Sequence, residues 1–304
     1  MCLRHRIDAA TRTHKAGIRI AATFQIVIAI KHVLFPVDFS ASSLAIAPCV
    51  KAMADRFGSK ITLMNVTHPV SSGAAGNADP LASDQELRTG AQAKLDAVLD
   101  KELEDLAVER LAATGGPAEV IAQFANTAGV DLIMMSTFGK GAFRSSLLGS
   151  VTAQVLHDAL CPVWTSTHVE DPRGVQPEAH RRVLCAVDGT SRSTPLMQWA
   201  AQFARAAGAS WKMVHVIPHV AERSQEEQED RKRRIRVAID GLQRSARIER
   251  APLDIVEEEV GNGVREEAQR YNADLIIIGR GLLNETLSHA YEIILQAPCP
   301  TLSL

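Results

Sequence analysis

Aromatic side chains are scarce in this chain, with Phe, Trp and Tyr together making up 4% of 304 residues. That thins out the stacking platforms on which single-stranded nucleic-acid binders rely. A charge excess of either sign is also lacking, since 33 Lys and Arg face 35 Asp and Glu for a formal net charge of -2. Bulk electrostatics therefore speak for neither a nucleic-acid nor a membrane partner. The five cysteines, Cys2, Cys49, Cys161, Cys185 and Cys299, are scattered, odd in number and form no C-x-x-C pair. Neither a disulfide framework nor a zinc cluster is indicated, and a reducing cytoplasm fits best. Cys161, Cys185 and Cys299 sit beside apolar strand-like residues and read as small buried hydrophobes. No apolar run reaches the roughly twenty residues that span a bilayer.

What is present is material for packed cores: 46% hydrophobic and 22% charged residues, at a length that suggests two domains of about 100–200 residues each. At the amino terminus, Arg4, Arg6, Arg12, Lys15 and Arg19 precede an apolar stretch from Ile20 to Ile30, the outline of a secretory signal. Thr23 and Gln25 interrupt it, Lys31-His32 follow without an A-x-A pattern, and it runs directly into a strand. Residues 1–30 are accordingly expected to be an extension rather than a leader.

The chain matches itself at an offset of 150 residues, the signature of a repeated unit. Val33-Leu34-Phe35-Pro36-Val37-Asp38-Phe39-Ser40 returns as Val183-Leu184-Cys185-Ala186-Val187-Asp188-Gly189-Thr190. Helical stretches follow, Ser42 to Phe57 and Ser193 to Ala207, each ending at a glycine, Gly58 or Gly208. Then come the apolar runs Ile61 to Val66 and Trp211 to Val216, the pair Asp131-Leu132-Ile133 and Asp274-Leu275-Ile276, and finally Cys161-Pro162 and Cys299-Pro300. A capping-box pattern at Ser83-Asp84-Gln85-Glu86 marks the expected start of the first long helix, after a Gly, Ala and Ser-rich loop, and the charged segment Glu222 to Arg250 is its counterpart. Short apolar runs alternating with amphipathic segments predict α/β architecture: two doubly wound Rossmann-like domains, each a five-stranded, mainly parallel sheet with helices on both faces. The expected division is an extension 1–30, a first domain 31–167, a polar linker 168–180 and a second domain 181–304.

In such a sheet ligands bind beyond the carboxyl ends of the strands, at the switch point where strand order reverses. Asp38 and Asp188 end their strands there. Either could accept hydrogen bonds from an adenine amino group or a ribose hydroxyl, or could simply cap the following helix. After the strand Asp131–Met135 comes a loop from Ser136 to Val151 that carries Gly139, Gly141 and Gly149 with Lys140 and Arg144, and no acidic residue. Glycines allow backbone to approach a phosphate, and Ser150 falls where a helix begins, so its amides favour an anion. The spacing is not that of a Walker A loop.

These residues resemble the universal stress protein family, in a tandem form covering about residues 31–304. The family's nucleotide-binding members carry Gly-x2-Gly-x9-Gly-Ser/Thr after the fourth strand. Here the same spacing reads Ser136-x2-Gly139-x9-Gly149-Ser150, with Ser in place of the first Gly. The resemblance implies an adenine-nucleotide-binding α/β fold with ATP as ligand, AMP or ADP as alternatives, and Mg²⁺ as an optional companion. By position, Pro36, Val37 and Asp38 border the adenine, Val66 contacts it through backbone, Met135 and Ser136 flank the nucleoside, and Gly139, Gly149, Ser150 and Val151 hold the phosphates. Ser136 places a side chain where the family has none and is expected to cost some affinity. The resemblance also implies pairing of the two halves through Val163-Trp164-Thr165 and Thr301-Leu302-Ser303 as an internal pseudo-dimer, with a further homodimer left open.

The second half departs from this pattern. Its loop is five residues shorter, Leu287-Ser288 replaces Gly149-Ser150, and Glu285 brings negative charge, so no nucleotide is expected there. No cluster of Mg²⁺-holding carboxylates accompanies the 136–151 loop, and His157-Asp158 lack a partnered nucleophile. The reading is a nucleotide-dependent stress-response or regulatory protein, at most a slow ATPase. A hydrolase or adenylate-forming enzyme of the same architecture, or an interaction module without ligand, are the alternatives.

Overall fold

In the computed structural model, which describes residues 28–68, 80–139, 148–166, 180–218, 224–280 and 286–304, the repeated apolar runs become strands. The first half comprises β1 (His32–Pro36), α1 (Ala41–Leu44), α2 (Ala47–Phe57), β2 (Lys60–Thr67), α3 (Pro80–Ala97), β3 (Val108–Thr114), α4 (Pro117–Thr127), β4 (Leu132–Met135), α5 (Ser150–Asp158) and β5 (Val163–Thr165). The second comprises β6 (Arg182–Ala186), α6 (Ser193–Ala207), β7 (Ser210–Ile217), α7 (Gln225–Ala246), β8 (Leu253–Glu257), α8 (Val260–Tyr271), β9 (Leu275–Ile278), α9 (Thr286–Gln296) and β10 (Thr301–Ser303).

All ten strands lie in one sheet of order β3-β2-β1-β4-β5-β10-β9-β6-β7-β8. Each half has the same doubly wound order, with every internal pairing parallel. The halves meet where β5 and β10 pair antiparallel, Thr301 opposite Thr165, Leu302 opposite Trp164 and Ser303 opposite Val163. Trp164 and Leu302 are wholly buried there, and a hydrogen bond of 2.6 Å joins the Thr165 and Thr301 hydroxyls. The two five-stranded sheets therefore join into one continuous sheet, each terminal strand satisfying the other's open edge.

Strand residues alternate between two cores. Val33, Phe35, Ile61 and Leu63 face α2, α3, α6 and α7, whereas Leu34, Met64, Ile133 and Val163 face α4, α5, α8 and α9. The repeated Asp131 and Asp274 have a structural task. Asp131 accepts the backbone N–H groups of Lys31 and His32, and Asp274 those of Arg181 and Arg182, fastening the start of β1 and β6 to the strand beside each. The expected C-terminal glycines are also present: Gly58 and Gly208 adopt φ of 61° and 63°, the left-handed cap conformation.

Several local expectations need correction. The stretch from Ser42 to Phe57 is two helices, since Pro48 in the first turn of α2 lacks the N–H that would continue the α1 ladder. Helix α3 begins at Pro80, so Ser83 lies inside it rather than capping it; proline is well suited to a first turn. The capping box belongs instead to α7, where Ser224 and Glu227 exchange hydrogen bonds. Cys185 and Cys299 are buried as expected, but Cys161 is only half-buried, its thiol pushed up to about 11 by desolvation. His180, read as linker, is buried against Phe203 with ring centroids 5.8 Å apart. Residues 1–27 and the linker residues 167–179 lie outside the described residues.

Candidate functional site

The order of the first half reverses between β1 and β4, and a cavity of about 1170 Å³ opens beyond their carboxyl ends. Its lining includes Pro36, Val37 and Asp38 after β1, Val66 on β2, Met135 and Ser136 after β4, and Gly139, Gly149, Ser150 and Val151 at the entrance to α5. All ten residues singled out from the sequence thus share one cavity. Its volume lies just above the roughly 300–1,000 Å³ usual for small-molecule pockets.

The β1 end is held by backbone and side chain together. Val37 N–H donates to the Met64 carbonyl at 2.8 Å, and the Asn65 amide donates to the Val37 carbonyl at 2.7 Å. The Asp38 carboxylate accepts the backbone N–H of Ser40 at 2.9 Å and also its hydroxyl. Ser40 in turn caps α1 by accepting the N–H of Ser43. Both readings of Asp38 thus have a geometric basis, as it lines the cavity and supports the helix cap through Ser40. Phe39 adopts φ of 60°, a left-handed conformation costing a non-glycine residue roughly 1–2 kcal/mol. Such strain concentrates at ligand sites.

At the opposite wall, α5 starts at Ser150 after Gly149, and among the described residues no side chain caps it. Its first-turn amides and dipole therefore face the cavity as an anion-favouring end. Thr152, in that first turn, is tied to the loop by a 3.0 Å bond from its hydroxyl to the Ser136 carbonyl. Gly149 N–H donates to the Thr137 carbonyl at 2.9 Å, and a Cβ at Gly149 would stand 3.1 Å from that oxygen. A Cβ at Gly139 would meet Asp38 Oδ2 at 2.5 Å. These glycines let the loop lie against its neighbours. Ser136 does not simply fill space: its hydroxyl donates to the Phe138 carbonyl at 2.5 Å, which also accepts the Ser42 hydroxyl at 3.2 Å. Lys140 and Arg144 lie outside the described residues.

Sequence reasoning missed the third wall. Glu86, Leu87, Gly90 and Lys94 of α3 and His68 after β2 also line the cavity. Nothing local to α3 distinguishes these positions from an ordinary solvated helix face; only its packing over the strand ends brings them there.

The second half arranges the same backbone differently. His215 occupies the place of Asn65, its Nδ1 2.8 Å from the Val187 carbonyl. Asp188 is engaged by the Thr190 N–H and hydroxyl, by the Ser193 hydroxyl at 2.6 Å and by Arg192 at 3.4 Å. Burial pushes this carboxyl up, but those hydrogen bonds and the Arg192 charge bring the net shift below the usual range. Each of its carboxylate oxygens thus has a partner from its own loop or from the start of α6. Glu285 lies outside the described residues, as do the side chains of Leu287 and Ser288.

The model of the universal stress protein family matches residues 29–166 and again 179–303. The chain belongs to the universal stress protein family. Universal stress protein MJ0577 of Methanocaldococcus jannaschii is 31% identical over 150 residues, which cover 44% of this chain and 92% of that protein. The crystal structure of a universal stress protein from Archaeoglobus fulgidus DSM 4304 is similar over 90% of this chain and 95% of its own, with a TM-score of 0.64 and 19% identity. A functionally unknown protein, PA1789 from Pseudomonas aeruginosa PAO1, covers 91% of this chain and 92% of its own at a TM-score of 0.62 and 18% identity. At these identities the two structures bear on fold alone. Among the described residues no helix is long and apolar enough to cross a membrane.

Proposed function

We propose that this universal stress protein binds one adenine nucleotide, ATP in the first instance, in the first of two domains spanning about residues 31–167 and 181–304. Occupancy acts as a regulatory signal rather than as a step in rapid turnover. The observation that carries the reading is the cavity itself, which joins the carboxyl ends of β1 and β2 to the start of α5 after Gly149. The adenine lies by Pro36, Val37, Asp38 and the Val66 backbone, and Met135 and Ser136 flank the ribose. The phosphates meet Gly139, Gly149 and the amides of Ser150 and Val151, where the helix dipole favours negative charge. The glycines fit that role, since a side chain at either position would crowd the loop.

The second domain is a partner without nucleotide, its Asp188 occupied by Thr190, Arg192 and Ser193. Free thiols at Cys49, Cys161, Cys185 and Cys299 favour a reducing compartment such as the cytoplasm. Titration calorimetry tests the assignment: ATP binds at one equivalent per chain, and Gly149→Asp, which sets a carboxylate against the phosphates, abolishes the heat. Two equivalents per chain, or undiminished binding by Gly149→Asp, refutes it.

A further inference from the structure

Helix α5 is gripped by the other domain. The guanidinium of Arg280, which follows β9, donates through Nη1 to the carbonyls of Leu156 and Ala159 at 3.0 and 2.8 Å. Through Nη2 it reaches the Cys161 carbonyl at 2.8 Å. The last carbonyls of a helix have no partner within it, so a side chain of the second domain caps the carboxyl end of a helix in the first. At the other end, the Tyr291 hydroxyl on α9 donates to the Ala153 carbonyl at 2.8 Å, one turn from Ser150. Arg280 is itself fixed at the sheet junction, where its N–H donates to the Leu304 carbonyl at 2.9 Å.

Among the described residues the grip runs one way. Tyr291 and Ala153 each stand eight residues before the Cys-Pro of their half, and Arg280 and Thr137 each six residues after its Asp-Leu-Ile aspartate. The second half thus contributes the two long side chains, while the first has a methyl group and a short hydroxyl at the matching positions. Because α5 has only nine residues, it is too short to be stable by itself in water. The aim of its first amides is therefore set by what packs against it, and an anion site tolerates displacements of only about 0.5 Å.

We propose that the second domain serves as a clamp on the phosphate-facing helix of the first, with Arg280 and Tyr291 as positioning residues. The inference rests on the nucleotide reading above and gives the domain without a nucleotide loop a task in that site. A cation at the carboxyl end of α5 also complements the same dipole whose amino end meets the phosphates.

The test compares the full-length protein with Arg280→Gln, Arg280→Lys and Tyr291→Phe in two measurements. Hydrogen exchange without nucleotide reads the clamp directly: residues 150–158 exchange faster in Arg280→Gln and Tyr291→Phe while β1 and β6 keep their protection. Calorimetry reads the coupling: ATP affinity falls about fivefold or more in Arg280→Gln, adenosine affinity stays unchanged, and Arg280→Lys recovers part of the loss. A general weakening of the fold would lower both ligands' affinities, and that result overturns the proposal, as does unchanged exchange of residues 150–158. Failure of the wild-type protein to bind ATP overturns the nucleotide reading instead, and the exchange result still decides whether the clamp exists.

Discussion

Replacing Gly139 by alanine isolates the close approach between the loop after β4 and the strand-end carboxylate. The new Cβ would stand 2.5 Å from Asp38 Oδ2, with the carboxyl carbon at 3.5 Å. Ordinary contact requires the oxygen to retreat by about 1 Å. Asp38 is not at liberty to swing, because Oδ1 accepts both the Ser40 N–H and hydroxyl. Either the side chain leaves its rotamer at about 0.5–1.5 kcal/mol, or a charge-assisted bond worth about 1.5–3 kcal/mol is lost. Both routes displace the group assigned to the adenine edge, so ATP affinity measured by calorimetry falls about tenfold, and the melting temperature falls by a few degrees. Gly58→Ala is the control. No atom lies within 4 Å of a Cβ there, but φ is 61°, so it costs stability by about 1 kcal/mol and leaves affinity intact. Wild-type ATP affinity in Gly139→Ala refutes the placement of Asp38 against the ligand.

Ser136→Gly gains no affinity, contrary to the expectation that the serine merely obstructs: losing its bond to the Phe138 carbonyl loosens the loop by about 1 kcal/mol, seen as equal or weaker ATP binding in calorimetry. Burial first and the neighbouring Arg56 second hold His180 down to about 4. This histidine therefore contributes stability that is fully present above pH 6.5 and lost as pH falls toward 4, up to about 3 kcal/mol. In urea unfolding followed across that window, His180→Phe flattens the decline, and an unchanged slope counts against the assignment. Glu267 on α8 is wholly buried and paired with Lys212 and Arg270, and Lys212 also meets Asp254. Glu267→Gln should lower unfolding free energy by about 3 kcal/mol or less, since Asp254 still compensates Lys212; no loss in urea denaturation would show that the buried charge contributes nothing net.

Much of this molecule was legible in order along the chain. Strands β1 and β6, the glycine caps at Gly58 and Gly208, helix α6 and the start of α5 depend on residues within a few positions of one another, which pattern and propensity report directly. The walls of the cavity contributed by the ends of β1, β2 and β4 were legible for a related reason. A doubly wound sheet places those ends together whatever the loops contain.

What the sequence by itself determined was the repeated unit, its doubly wound architecture, and the divergence of one glycine loop from its copy. Each is a property of local spacing read twice. Only the tertiary structure decided that Lys94 and Glu86 face the same cavity as Asp38, and that His180 is buried rather than linking. It also decided that Arg280 and Tyr291 reach the carbonyls of α5. In each case the contact joins residues beyond the reach of local pattern and leaves no periodicity in either segment, and the grip on α5, between residues more than a hundred positions apart, exists only once the antiparallel pairing of β5 with β10 has fixed the two halves against each other.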